Sequence, residues 1–196
     1  MAYEIVVIGA SAGGLEAVSR LLAQLPREFN LPVAIAQHRA PAPPDGDLAV
    51  IWQRVTPLPV ADAEDKAPIE RGHVYIAPAD YHLLIESRET FALSTDPPVL
   101  WARPSIDVLF ESAAEIYGGA VIAVILSGAS ADGSQGLKAI RSRGGCALVQ
   151  DPRTAEMAVM PQAAIAATPV NHVLPLLDLG RIVAALGSGA GTESPR

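Results

Sequence analysis

Several kinds of residue are scarce in this chain, and each scarcity argues against a class of protein. A single cysteine, Cys146, stands among 196 residues. It cannot form an internal disulfide, and its place in an apolar run indicates a buried thiol in a reducing compartment. Basic residues are outnumbered, 14 Lys and Arg against 21 Asp and Glu, and the net charge is −7. That sign opposes binding to phosphates, so no nucleic-acid partner is expected.

Long apolar segments and a basic leader are also missing. No stretch approaches the ~20 apolar residues that cross a bilayer. The first apolar run, 5–8, is too short and too soon interrupted by Gly9 for a signal peptide. We therefore expect a cytoplasmic protein that is not embedded in a membrane. No cluster of His, Cys and Asp has the spacing of a metal site, so the sequence predicts neither a metal nor a cofactor.

What the chain does have is hydrophobic residues, 50% of the total, in short buried runs that alternate with helical stripes. Runs that are apolar on both faces suit the central strands of a parallel sheet covered by helices on each side. They are 5–8, 32–36, 120–126 and 145–149. Segments 83–85 and 91–93 flank a polar turn and predict an antiparallel hairpin attached to this sheet. We predict one Rossmann-like, doubly wound α/β domain with three αβα layers over 1–186, and a disordered tail over 187–196.

A serine lies in the turn after the first of these runs. Gly9-Ala10-Ser11-Ala12-Gly13 matches Gly-x-Ser-x-Gly, in which small neighbours expose a serine hydroxyl on a sharp strand-to-helix turn. The same stretch approaches the dinucleotide-binding fingerprint Gly-x-Gly-x-x-Gly, although Ser11 replaces its middle glycine. A tight turn that merely needs small residues is the third interpretation. The turn alone does not choose among them.

A histidine and an aspartate occupy the same kind of position as Ser11. His38 and Asp132 each follow the carboxyl end of a predicted strand, the edge where ligands bind in open parallel sheets. A nucleophilic serine needs a base, and the base needs a carboxylate that orients it. Taken singly, His38 could bond a backbone carbonyl and Asp132 could cap the next helix. Asp107 is a rival carboxylate, but its place in a first helical turn after Ser105 suggests dipole stabilisation. Only the coincidence of Ser11, His38 and Asp132 at one edge favours catalysis.

Six spaced motifs add a resemblance to this picture. They are Ile8-Gly-Ala-Ser-Ala-Gly-Gly14, Gln37-His38, Ala77-Pro78, Arg103-Pro-Ser-Ile-Asp-Val-Leu-Phe110, Leu126-Ser-Gly with Asp132-Gly133, and Met160-Pro161. Together and in this order they resemble the catalytic domain of the protein-glutamate methylesterases of bacterial chemotaxis, from about Glu4 to Leu186. The resemblance implies a mostly parallel sheet and a triad of Ser11, His38 and Asp132.

The resemblance also implies a substrate and the parts that bind it. The expected reaction is hydrolysis of γ-glutamyl methyl esters on the cytoplasmic helices of methylated chemoreceptors, with methanol as product. Related enzymes deamidate receptor glutamines by the same acyl transfer. The N–H groups of Ala12 and Gly13 are expected to hold the oxyanion, and Ala129 to form part of the substrate pocket.

The chain departs from the family in several places. Ala12 stands where threonine is common, and Ala129 lies in a loop that often carries methionine. A typical member has a receiver domain before the catalytic one, whereas this chain begins its first strand at Tyr3; a separate receiver or methyltransferase is therefore a candidate partner. Two alternatives stay open, a catalytically silent signalling or binding module of the same fold, and a nucleotide-binding domain. Ser11 and His38 at two fingerprint positions argue against the latter.

Overall fold

The computed structural model describes residues 2–39 and 47–188. Its strands are β1 (Ile5–Ala10), β2 (Val33–Gln37), β3 (Val60–Asp62), β4 (Val74–Ile76), β5 (His82–Ile85), β6 (Phe91–Ser94), β7 (Val121–Ile125), β8 (Cys146–Gln150) and β9 (His172–Leu174). Its helices are α1 (Gly14–Leu22), α2 (Leu48–Gln53), α3 (Ile106–Tyr117), α4 (Ser134–Ser142), α5 (Val159–Ala167) and α6 (Leu176–Gly187). Strands and helices alternate along most of this order, as in other α/β folds.

Seven of the strands form one parallel sheet in the order β3-β4-β2-β1-β7-β8-β9. The chain starts in the middle with β1 and winds outward in both directions, which confirms the predicted doubly wound fold. β1 lies between β2 and β7, with Ala10 paired to Gln37 and Gly9 paired to Ile125. Because the strands run parallel, the loops that follow β1, β2 and β7 all open at the same edge.

Two hydrophobic cores separate the sheet from the helices on its two faces. Ile5 and Val7 of β1 belong to the core on one face, and Val6 and Ile8 belong to the core on the other. The first core includes buried residues of α3, α4 and α5, and the second includes those of α1, α2 and α6. All four strand residues are fully buried, which explains why the β1 sequence is apolar without alternation. These are the three predicted layers.

The hairpin differs from the prediction in its attachment. β5 and β6 pair with each other as a separate two-stranded sheet and do not extend the parallel one. The outer edges of β5 and β6 form hydrogen bonds with other segments. Ile85 N–H donates to the Ser112 hydroxyl (3.0 Å), and Phe91 pairs with the irregular segment 66–67. The hairpin therefore packs on α3.

The predicted tail falls almost entirely outside the described residues. α6 ends at Gly187, one residue into that segment, and residues 189–196 are not described. The boundary of the tail thus stays a prediction. Across the described part of the chain, no helix combines the length and the hydropathy that crossing a membrane requires.

Helix α4 approaches α3 closely because it carries a glycine at the contact. A Cβ atom on Gly136 would lie 2.4 Å from the Cβ of Phe110 and 3.1 Å from the backbone oxygen of Asp107. The Gly136 N–H also donates to the Asp107 carboxylate at 2.7 Å. No larger residue fits without moving one helix.

We expect Gly136→Ala to lower the free energy of unfolding by about 1–3 kcal/mol, the usual cost of overpacking a tight contact. Urea denaturation of this variant beside Gln135→Ala, an exposed position on the same helix, measures the effect. Equal midpoints for the two variants would contradict the close approach.

Candidate active site

The turn that carries Ser11 is held by the backbone on both sides. Ser11 N–H donates to the Ser127 carbonyl (2.9 Å), and its own carbonyl accepts from Gly14 N–H (2.8 Å). Gly13 has a φ of 75°, a left-handed conformation that glycine adopts without strain. A Cβ atom on Gly13 would lie 2.7 Å from both Ser127 Oγ and Glu156 Cβ. The small residues of the motif are therefore required by the local packing as well as by the turn.

His38 lies beside Ser11 because the pairing of β1 with β2 continues one position beyond the last paired residues of the two strands. His38 N–H donates to the Ala10 carbonyl at 3.0 Å, one position beyond the Ala10–Gln37 pair. The His38 side chain is 13% exposed, and its Nε2 atom lies 2.7 Å from Asp132 Oδ2. The other ring nitrogen, Nδ1, is left for the serine. No hydrogen bond joins the Ser11 hydroxyl to His38 within the described residues, and such contacts are often loose before substrate binds.

Asp132 is completely buried, and both of its carboxylate oxygens are saturated with donors. Its partners are Ser105 Oγ (2.9 Å), Asp107 N (3.0 Å) and Gly133 N (3.0 Å) on Oδ1, and Ile106 N (2.7 Å) and His38 Nε2 (2.7 Å) on Oδ2. Two of these donors are N–H groups of the first turn of α3. In the described part of the chain no side chain caps α4, whose N-cap is Gly133. The alternative interpretation, in which Asp132 caps the helix that follows it, is therefore wrong: the carboxylate binds the N-terminus of a different helix.

The pKa values of the two neighbouring aspartates, Asp132 and Asp107, shift in opposite directions. Burial alone would raise the pKa of Asp132, but the hydrogen bonds from His38 and from the N–H groups of Asp107 and Ile106 outweigh it and lower that pKa. Burial raises the pKa of Asp107 to about 6; the charge of Asp132 adds to the rise, and the Gly136 N–H opposes it. Asp132 thus stays ionised to lower pH than Asp107, which keeps its proton up to about pH 6. Asp107, the rival carboxylate, binds α4 through Gly136 and not the imidazole.

Two further residues, His82 and Gln37, hold the residues around the triad through hydrogen bonds. The sequence analysis assigned them no role. His82 is buried; its Nδ1 accepts from Ser105 N–H (3.1 Å) and its Nε2 lies 3.2 Å from the Pro97 carbonyl. Gln37 donates through Nε2 to the backbone carbonyls of both Ser11 (2.9 Å) and His38 (3.0 Å). The sequence signals for Gln37 were its place in the Gln37-His38 motif and at the end of the apolar β2 run. These contacts hold the backbone of Ser11, His38 and Ser105 and do not touch the reacting side-chain atoms.

The other predicted binding residues lie at the same edge. Among the described residues, the N–H groups of Ala12 and Gly13 donate to no acceptor. Ala129 is exposed in the loop between β7 and α4, next to Gly128, whose N–H donates to the Met157 carbonyl (3.0 Å). The structure thus places Ala12 and Gly13 in the Ser11 turn, and Ala129 in the loop after β7 at the same edge of the sheet. Their predicted roles in binding remain predictions.

An open cleft of about 490 Å³ borders His38 at the carboxyl end of β2. Its lining residues are His38, Arg39, Asp80, Pro98, Leu100, Trp101, Ala102 and Arg103. Both arginines are neutralised by ion pairs, Arg39 with Asp62 (3.2 Å) and Arg103 with Asp80 (2.6 Å). Within residues 2–39 and 47–188, no group of His, Cys, Asp and Glu is arranged to hold a metal ion.

Comparison with known proteins identifies the family. The family model described as CheB methylesterase matches residues 6–183 of the 196. The chain belongs to the CheB methylesterase family. The crystal structure of the CheB methylesterase catalytic domain of Thermotoga maritima superimposes with a TM-score of 0.87 at 32% identity, covering 95% of this chain and 100% of that one. The predicted family and fold class are confirmed.

Two curated relatives of the CheB family carry the same pair of activities in their names. A Leptospira interrogans protein, provisionally named protein-glutamate methylesterase/protein-glutamine glutaminase, is 48% identical over 182 residues, which are 93% of this chain and 94% of that protein. The protein-glutamate methylesterase/protein-glutamine glutaminase 1 of Rhodospirillum rubrum is 39% identical over 185 residues, 92% of this chain and 48% of the relative. CheB-family proteins thus occur at about this length and at about twice it.

Replacing Asp107 with asparagine should change how stability depends on pH. Because burial raises the pKa of Asp107, protonation stabilises the native state; that contribution is full below the ordinary pKa and is lost as the pH rises through about 6. Asparagine keeps an oxygen for the Gly136 N–H and carries no charge. Asp107→Asn should therefore be more stable than the unmodified chain near pH 8, with a gain that shrinks towards pH 5.

Urea midpoints measured across that pH range test the prediction. Glu115→Gln, an exposed acid-to-amide change on the same helix whose charge does not act on Asp107, is the control and should show no such trend. A difference between Asp107→Asn and the unmodified chain that stayed constant with pH would contradict the assignment.

Proposed function

We propose that this chain is a serine carboxylic ester hydrolase that removes methyl groups from glutamate 5-O-methyl esters of a protein. The observation that carries the proposal is the 2.7 Å contact between His38 Nε2 and the buried Asp132 carboxylate, at the strand end next to Ser11. An imidazole oriented by a buried carboxylate, beside a serine on a strand-to-helix turn, is the arrangement that activates a hydroxyl. Membership of the CheB methylesterase family supports the same reaction class.

The proposed mechanism assigns each group to one step. His38 Nδ1 accepts the Ser11 proton as the serine oxygen attacks the ester carbonyl, since Nε2 is occupied by Asp132. The N–H groups of Ala12 and Gly13 stabilise the oxyanion. His38 then donates the proton to the leaving oxygen, so methanol departs and an acyl-serine remains. Water, deprotonated by His38, hydrolyses that ester to release the glutamate carboxylate and restore Ser11.

Two electrostatic effects would lower the barrier. Asp132 stays ionised because its pKa is lowered, so it stabilises the positive charge that His38 gains in the transition state. An oxyanion donor is typically worth about 3 kcal/mol of barrier, and α1 begins at Gly14, so its N-terminus adds positive potential at the same place. Glutamine deamidation, the second activity in the names of the relatives, needs the same steps with ammonia as the leaving group.

The proposed partner is a methylated chemoreceptor, whose cytoplasmic helices would carry the esterified glutamates. A separate receiver protein or methyltransferase is the proposed regulatory partner, and the cytoplasm is the proposed compartment. Residues 1–186 would form the catalytic domain. The family match over residues 6–183 supports the proposed domain, and the protein-glutamate substrates in the names of the relatives support the proposed substrate.

The second candidate is a signalling or binding module that keeps the fold and no longer turns over substrate. The observation that favours it is the missing hydrogen bond between the Ser11 hydroxyl and His38 in the described residues. A fluorophosphonate probe separates the two candidates, because only an activated hydroxyl reacts. The nucleotide-binding alternative has no such support, since the family match is to methylesterases.

Ser11→Ala should reduce methanol release from methylated receptor by at least ~10³-fold, as removal of a triad nucleophile does. The thermal midpoint should stay nearly unchanged, because the Ser11 hydroxyl forms no hydrogen bond with the rest of the described structure. Ser19→Ala removes a hydroxyl that lies on the exposed side of α1 and donates to the Leu15 carbonyl, and this variant should retain full activity. Turnover that survived Ser11→Ala would remove Ser11 from the mechanism.

A further inference from the structure

The peptide between Ala12 and Gly13 is held by a buried hydroxyl in the loop after the neighbouring strand. Ser127 lies two positions beyond the end of β7 and is 1% exposed. Its Oγ donates to the Ala12 carbonyl at 2.7 Å and accepts from Met157 N–H at 2.9 Å. Both hydrogen-bonding functions of the hydroxyl are therefore used, one of them on the turn that carries Ser11.

This contact fixes the direction of the Gly13 N–H. In a trans peptide the carbonyl and the N–H point in opposite directions. Because the Ala12 carbonyl points at Ser127, the Gly13 N–H points away from it. Among the described residues that N–H has no acceptor, and it lies at the N-terminus of α1, where partial positive charge collects.

The turn needs such a restraint because its own conformation does not supply one. Gly13 already has a positive φ of 75°, and glycine tolerates both signs of φ. The Ala12–Gly13 peptide could therefore rotate with little steric penalty, which would turn the carbonyl towards the site and the N–H away from it. Without the Ser127 hydroxyl, the Ala12 carbonyl would lose its donor and favour that rotation towards solvent.

We propose that Ser127 is a positioning residue that sets the oxyanion hole by holding the Ala12–Gly13 peptide in its donating orientation. The inference rests on the proposed function, with Ser11 as nucleophile and the Gly13 N–H as an oxyanion donor. Ser127 acts through the peptide and does not touch substrate. The Ser127 hydroxyl also accepts from Met157 N–H. The same hydroxyl therefore links the Ser11 turn to the segment before α5.

The test compares Ser127→Val with Ser127→Thr, two variants of the same shape that differ only in the hydroxyl. Ser127→Val should lower kcat about 10- to 100-fold and change KM less than about 2-fold, because an oxyanion donor acts in the transition state and not in the ground state. Ser127→Thr should restore most of kcat. The readouts are methanol release under saturating and limiting substrate, and the thermal midpoint of each variant.

Ser112→Ala is the matched control for a merely structural role. The Ser112 hydroxyl also joins two backbone groups, donating to the Leu109 carbonyl (2.9 Å) and accepting from Ile85 N–H (3.0 Å), but it lies between α3 and the hairpin. Ser112→Ala should lose stability and keep kcat.

The outcomes separate the two proposals. If the unmodified chain neither hydrolyses the ester nor reacts with a fluorophosphonate, the proposed function fails and this inference fails with it. If the unmodified chain is active and Ser127→Val keeps its kcat, or Ser127→Thr loses kcat as Ser127→Val does, only the inference about Ser127 is overturned.

Discussion

The buried carboxylate of Asp132 is the constraint on which the active-site edge depends. A charge with no exposure is tolerated in a protein interior only when its oxygens are fully paired. Here the pairing comes from three places: the first turn of α3 with Ser105, the residue that follows in the chain, and His38. Satisfying one charge therefore joins α3 to the loop after β7 and to the end of β2. The structural requirement and the chemical arrangement are the same set of hydrogen bonds.

This constraint also determines how the histidine can act. Asp132 occupies Nε2, so Nδ1 is the nitrogen that can serve Ser11. The two adjacent aspartates are driven apart in pKa, with Asp132 lowered by its donors and Asp107 raised by burial. Only below about pH 6 is Asp107 neutral beside the ionised Asp132, and at any pH the imidazole bonds Asp132 and not Asp107. The orientation of His38 and its electrostatic environment thus follow from the packing of α3 against α4.

Much of this arrangement was predictable from the sequence, for a physical reason. A strand buried on both faces must be apolar, so the runs that became β1, β2 and β7 could be recognised, and parallel strands must end at one edge. Ser11, His38 and Asp132 each follow such a run, so the sequence alone predicts that they meet at one edge. The six motifs named the family, and the comparisons confirm it.

What the sequence did not predict depends on contacts between distant segments. The N-terminus that Asp132 binds belongs to α3 and not to the adjacent α4, and no local pattern distinguishes the two. The hairpin was expected on the main sheet, but its edges bond Ser112 and the segment 66–67. Gln37 and His82 are single polar residues without a periodic signal. Their roles appear only when β2 is set beside the Ser11 turn, and β5 beside Ser105.

The most direct test of this account is the tautomer of His38, measured by nitrogen-15 NMR of the folded chain at a pH where the ring is neutral. If Asp132 orients the ring as the structure shows, Nε2 carries the proton and Nδ1 is the bare, basic nitrogen. Asp132→Asn, which supplies an amide in place of the carboxylate, should disturb this preference. A neutral His38 protonated at Nδ1 would contradict the account, because its ring could not then accept the Ser11 proton while bonded to Asp132.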